Sequence, residues 1–245
     1  MQGLRVVLYG PIMDDHSECK RISIMLPSCL DPWLRIITVL LCFFPLSASI
    51  ISAQERPPTG QVNTEHSRVY IFVDKTGVVG HQHAIEGKLA SGNLFLNGSS
   101  NGALVFNMKS FDVDTPRARS YIGLEGITDE ATRKKVNENM LGVEILNVNK
   151  FGTAKFENAK IQPKKTISKR QLPEFLLVGD FTLHEKTRRV EILCDLEVKD
   201  GWNHFRGGFK IRQSDYGIKP FSKMLGAVGV TDELTIYGDL WAVPE

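Results

Sequence analysis

Alternation of apolar and polar positions is strongest in the last third of the chain. Val190, Ile192, Cys194, Leu196 and Val198 share one parity while Glu191, Asp195, Glu197 and Lys199 share the other, with Leu193 as the apolar exception. A period of two places the apolar set on one face of a half-buried strand. The next run repeats the device, with Phe205, Gly207, Phe209 and Ile211 against Arg206, Lys210 and Arg212, and the Asp200-Gly201 pair between the two runs predicts a tight hairpin. An isolated hairpin is marginal in water and its open edges invite aggregation, so more strands are required. They are read at 68–73, 80–89, 103–108, 154–161, 175–183, 190–199, 205–212 and 233–242. Between the third and fourth, residues 116–146 break the pattern. There Asp129 and Glu130 followed by Arg133, Lys134, Val136 and Met140 predict a helix with acids at its positive end.

The expected class is therefore all-β, an eight-stranded antiparallel barrel with a helical insert between strands 3 and 4. Closing eight strands leaves an interior that is either filled by side chains or holds one small ligand. The apolar inward face by itself favours a filled core, because every barrel needs one. The helical insert points the other way, toward a cavity with a lid.

The N-terminus is set apart from this domain. Residues 36–46 form an apolar run that follows Arg35, is interrupted by Pro45, and leads to the small residues Ser47-Ala48-Ser49 and Ser52-Ala53. This is the pattern of a secretory signal peptide with cleavage near Ala53, and the run is shorter than the roughly 20 residues a spanning helix prefers. The preceding stretch is long for the charged region of such a signal, and a start at Met25 would restore an ordinary length. Cys42, with Phe43 and Phe44 after it, does not read as a lipid-modified cysteine. The expected organisation is a leader (1–53), a Pro- and polar-rich tether (54–66) and a barrel domain (67–245), in a periplasmic or secreted protein that is not integral to the membrane after processing.

The leader carries four bases and four acids, so the net charge of +2 is unchanged by its loss. That balance gives no field suited to nucleic acid, and the basic run 164–170 reads as a solvated loop. Three of the four cysteines lie in the leader, which leaves Cys194 without an intramolecular partner and, by its parity, in the core.

Four segments together are similar to the YceI-like polyisoprenoid-binding proteins of the bacterial periplasm. Gly179-Asp-Phe-Thr-Leu-His184, followed by a basic turn and a strand, resembles the family's Gly-Asp-Leu-Thr-Leu/Ile-(His/Arg) segment. Ile211-Arg-Gln-Ser-Asp-Tyr-Gly-Ile218 resembles its Ile-Asn-Arg-Ser-Asp-Phe-Gly signature with the arginine displaced by one residue to Arg212. Ser110-Phe-Asp-Val-Asp-Thr115 and Phe151-Gly-Thr-Ala-Lys-Phe156 are similar to two further family stretches, with Gly152 in place of a proline. The resemblance covers residues 68–242 in the right order, and implies a lipocalin-like barrel that takes a long isoprenoid chain, such as a quinone or polyprenol, lengthwise in its lumen. No catalysis and no cofactor besides that lipid are implied. Burial of such a chain yields roughly 25 cal/mol per Å² of apolar area, so a tube of aliphatic and aromatic side chains suffices. By parity the lumen candidates are Phe181, Leu183, Val190, Ile192, Leu196, Phe205, Phe209, Ile211, Leu234 and Ile236, each equally well explained by plain core packing.

The chain departs from the family at Gly80-His-Gln-His-Ala-Ile-Glu-Gly87 and in the length of the insert at 123–142. His81 and His83 at a spacing of two project to one face of a strand, which is how zinc or copper sites are often built, with His66 or His184 as a third ligand; the bland reading is a polar barrel rim. Glu86 has the opposite parity and does not contribute. Gly98-Ser-Ser-Asn-Gly102 matches a hydrolase pattern, but it separates two β runs with no helix following, so it reads as a hairpin turn. Three function classes remain: a carrier of an isoprenoid-like lipid, which is favoured; an extracytoplasmic metal-binding barrel using His81 and His83; and a filled structural or stress-related barrel. Pairing of two barrels as a homodimer stays open.

Overall fold

Nine strands run through the residues described by a computed structural model, 57–98 and 100–245. They are β1 (Arg68–Thr76), β2 (His83–Asn93), β3 (Gly102–Val113), β4 (Thr153–Ile167), β5 (Pro173–Leu183), β6 (Lys186–Lys199), β7 (Trp202–Arg212), β8 (Ser222–Lys223) and β9 (Val228–Ala242). Helices α1 (Pro116–Ile122) and α2 (Glu130–Leu141) lie between β3 and β4. Every pairing is antiparallel, in the order β1-β2-β3-β4-β5-β6-β7-β9, and β9 returns to β1. Ile71 of β1 thus faces Ile85 of β2 on one side and Ile236 of β9 on the other, and the ring has no free edge among these eight strands. The two-residue β8 adds to one end of β9. The eight expected strands are the eight of the ring, and the leader with its apolar run, Cys42, the start at Met25 and the cleavage near Ala53 lies outside the described residues.

Turn chemistry sets the register. Asp200 and Gly201 both have positive φ (50° and 78°), as a two-residue hairpin turn demands, so Lys199 pairs with Trp202 and Val198 with Asn203. The β5–β6 turn differs from expectation. It is made by His184 and Glu185 (φ 50° and 59°), and Lys186–Arg189, read from their charge as a turn, already belong to β6. Their backbone groups complete the ladder, with Thr182 opposite Thr187, while the charged side chains lie exposed. The basic run 164–170 is likewise only partly a loop. Lys164 to Ile167 continue β4 past Pro163, where the register slips so that the missing N–H is tolerated, and Arg170 forms an ion pair with the buried Asp195.

The insert folds as two helices with different roles. Thr115 caps α1 by accepting from the Ala118 amide, Pro116 occupies its first turn, and Gly123 ends it in the left-handed region. This helix covers the outside of the barrel, where Tyr121 stacks on Tyr70 at 3.9 Å and Ala118 is fully buried. That is why β1 is apolar on both faces. The second helix begins at the expected cap, Asp129, which accepts from the Thr132 amide. It is fastened to β3 by Arg133 and Asn137, both bonded to the Asp112 carboxylate at 2.6 and 2.7 Å. Upstream of β1, residues 60–63 lie against the sheet, with Gly60 and Asn63 donating to Val243 and Trp241 and with Val62 buried. Among the described residues no helix is long and apolar enough to cross a membrane.

Candidate ligand-binding site

The inward faces of the ring do not fill its interior. They leave a cavity of about 490 Å³, within the range of small-molecule sites. Of the ten lumen candidates, Phe181, Leu183, Ile192, Phe205, Phe209, Ile211, Leu234 and Ile236 line it. Val190 and Leu196 do not: they are partly buried and pack against the core cluster without reaching the open volume. Both hold the inward parity beside lining neighbours, with Val190 opposite Gly179 and Leu196 opposite Phe205, and alternation does not decide which inward side chains border the open space.

The opposite wall lies beyond the ten lumen candidates. Val69, Ile71 and Val73 of β1, Ile85 of β2, and Leu104, Phe106 and Met108 of β3 all face the cavity. Their spacing of two is the signal of an inward face. The cavity is also lined by Val136 and Met140, one helical turn apart on α2, so this helix roofs part of the lumen. Gly179 and Gly207 are required by close packing. A Cβ at Gly179 would lie 2.5 Å from the Phe156 ring, and one at Gly207 would lie 2.6 Å from Cys194 Cβ. Cys194 is itself a buried wall residue whose thiol is pushed up to about 12, by burial first and then by the nearby Asp195 and Glu174 charges. It is a packing group, not a nucleophile.

Polar groups on the lining are few: His81, His83, Thr132, Lys135, Asn139, Gln213 and Lys223. The two histidines have a third companion that spacing could not supply. Asp114, just past β3 and with φ 51°, directs its fully buried carboxylate at them. Oδ1 accepts from the Ala84 amide at 3.0 Å and Arg119 at 3.2 Å, while Oδ2 accepts from Thr128 at 3.0 Å and lies 2.8 Å from His83 Nδ1. Burial raises the Asp114 carboxyl, but the bonds from His83 and the Ala84 amide outweigh it and hold the group at about 2. The His81 ring lies 4.4 Å from that of His83, and its pKa is lowered by burial and then by the neighbouring His83.

The proposed third histidines are elsewhere. His66 bonds Asn63, and His184 bonds the Leu146 carbonyl at 2.7 Å while packing on Phe151. Glu86 lies outside the lumen, bonded to Arg68 and Thr115, in keeping with its parity. The Gly98–Gly102 pattern is in the connection between antiparallel β2 and β3, with strand and no helix after it. That context lacks the strand-to-helix elbow a hydrolase serine needs.

Comparison with known proteins agrees with this architecture. The YceI-like domain family matches residues 61–242. A UPF0312 protein of Ectopseudomonas mendocina (strain ymp) is 28% identical over 134 residues, which are 52% of this chain and 65% of that protein, so the match spans a little under two thirds of its length. Among solved structures the chain is similar to BcnA of Burkholderia cenocepacia, with a TM-score of 0.50 at 16% identity over 74% of this chain and 99% of that one. It is similar also to a polyisoprenoid binding domain from Saccharophagus degradans implicated in plant cell wall breakdown, with a TM-score of 0.50 at 12% identity over 76% and 100% of the two chains. At these identities the two structures speak to the fold alone, a mostly antiparallel ring of strands with few helices. The family match extends from the segment that leads into β1 to the last residue of β9, and the chain belongs to the YceI-like domain family.

Proposed function

We propose that the protein binds and carries a long apolar lipid of polyisoprenoid type, such as a quinone or polyprenol, in the barrel lumen and without catalysis. The observation that carries this reading is the cavity of about 490 Å³, walled almost wholly by aliphatic and aromatic side chains from every long strand. A filled structural barrel would have no such space. Burial at roughly 25 cal/mol per Å² rewards a ligand that offers only hydrocarbon, and the cluster of polar groups on the lining leaves a place for one polar end. The Saccharophagus degradans relative, described as a polyisoprenoid binding domain, supports the same ligand class. The leader pattern supports an extracytoplasmic location, periplasmic or secreted, and cargo held in solution between membranes is what a lumen of this kind would serve.

The test is native mass spectrometry of protein purified from its own host, together with lipid analysis of an organic extract. A stoichiometric polyprenyl or quinone species is the expected result. An empty barrel after gentle purification, with no uptake of added polyprenol, would overturn lipid carriage. Substitution of Ile192 by Trp, which projects a larger ring into the lumen, should lower uptake while leaving the fold intact by circular dichroism.

A further inference from the structure

We propose that His81 and His83 form a site for a divalent transition-metal ion of the zinc or copper type on the polar part of the lumen lining, with Asp114 as the residue that positions His83. The inference does not rest on lipid carriage. It stands on the hydrogen bonding of Asp114 and on the placement of the two rings.

An ionised carboxylate offers about four acceptor positions and no donor. In Asp114 all four are taken, by the Ala84 amide, Arg119, Thr128 and His83 Nδ1. The His83–Asp114 contact of 2.8 Å therefore requires that Nδ1 carry the proton, which leaves the lone pair on Nε2. This is the carboxylate–histidine arrangement that fixes tautomer and ring direction in metal sites and makes the imidazole more basic. A fully occupied carboxylate is the orienting group, and the Arg119 cation beside it disfavours direct contact with the ion. His81 completes the pair: among the described residues none hydrogen-bonds its ring, which lies 4.4 Å from that of His83.

The three side chains are gathered in one place, with one donor atom from each of His81, His83 and Asp114 within 4.8 Å of the others and the two rings 4.4 Å apart. Bringing one nitrogen of each ring to 2.0–2.1 Å from a shared ion calls for a rotation of His81. His81 precedes β2 and is exposed, so its side chain can supply that rotation. Two imidazoles suit zinc, copper or nickel and not calcium or magnesium, which take oxygen ligands. Two protein ligands leave further positions to water or to a polar group of the cargo, so the ion would be exchangeable.

The experiment is calorimetric titration of the tag-free protein with zinc chloride and with copper(II) sulfate. One ion per chain is expected, with H81A and H83A each weakening binding about tenfold or more and H66A leaving it unchanged. D114N should weaken binding about 10- to 100-fold, and that loss should vanish in an H83A background, because Asp114 acts through that ring. Wild-type affinity in the H81A/H83A double variant would overturn the site. A D114N loss that persists without His83 would overturn the positioning role. If D114N does not fold, Thr128→Val removes one of its four partners, and the same cycle with H83A is read on that variant.

Discussion

The barrel wall and the histidine corner of its lining are built by opposite means. In the wall, Phe181 and Leu183 come from β5 and Phe209 and Ile211 from β7, on either side of β6, and each reaches the lumen because its parity puts it there. At the corner, His81, His83 and Asp114 come from the two ends of a β2–β3 pair separated by more than 20 residues of sheet, and Asp114 turns inward through a left-handed backbone conformation that no periodicity encodes. The wall is redundant, since many apolar side chains share one task. The corner is singular, because the Asp114 carboxylate commits each of its acceptor positions to a different group. The apolar character of the lumen is thus a property of the many, and its polar geometry a property of the few.

The comparison can be broken at either end. The largest effect is expected from Phe156→Ala in the wall, whose ring is almost wholly buried and packs on Gly179; loss of about 4 kcal/mol in urea unfolding would mark it as structural as well as ligand-facing. At the corner, Asp114→Ala should cost about 3 kcal/mol, because Arg119 and the Ala84 amide lose a buried partner. The same carboxylate sets a pH dependence. Its folded pKa of about 2 lies below the unfolded value, so its contribution is complete above pH 4 and disappears as pH falls from about 4 toward 2. Asp114→Asn should flatten that part of the stability profile, and an unchanged acid limb would show that the four bonds do not hold the charge.

Gly179→Ala tests the wall from its tightest point. The added methyl meets the Phe156 ring and the Glu157 carbonyl, and a loss of about 2 kcal/mol is expected by thermal unfolding. The smallest effect belongs to Leu193, the exception to parity in β6. It is 47% exposed on the outer face, so Leu193→Ser should change stability by less than about 0.5 kcal/mol, whereas Ile192→Ser next to it should be several times worse. Equal costs for these neighbours would contradict the assignment of the two faces.

Much of this was legible in the chain because strand periodicity is a local property. Eight strands, the Asp200-Gly201 hairpin, the Asp129 cap and most lumen candidates follow from spacing and turn chemistry, which depend on neighbours in sequence. Two of the differences share one cause. Charge suggests a turn at Lys186–Arg189 and a loop at Lys164–Ile167, but a strand whose side chains face water can be as polar as a loop so long as its backbone is paired.

By itself, then, the sequence determined the strands, their inward faces and the apolar character of the lumen wall, since alternation forces one face of every strand away from water. Tertiary structure alone decided that the ring closes between β1 and β9, that a space of about 490 Å³ stays open within it, that Val190 and Leu196 fall outside that space, and that Asp114 meets His83. The shape of the open space and the convergence of distant residues depend on register summed around the whole ring, which no single segment contains.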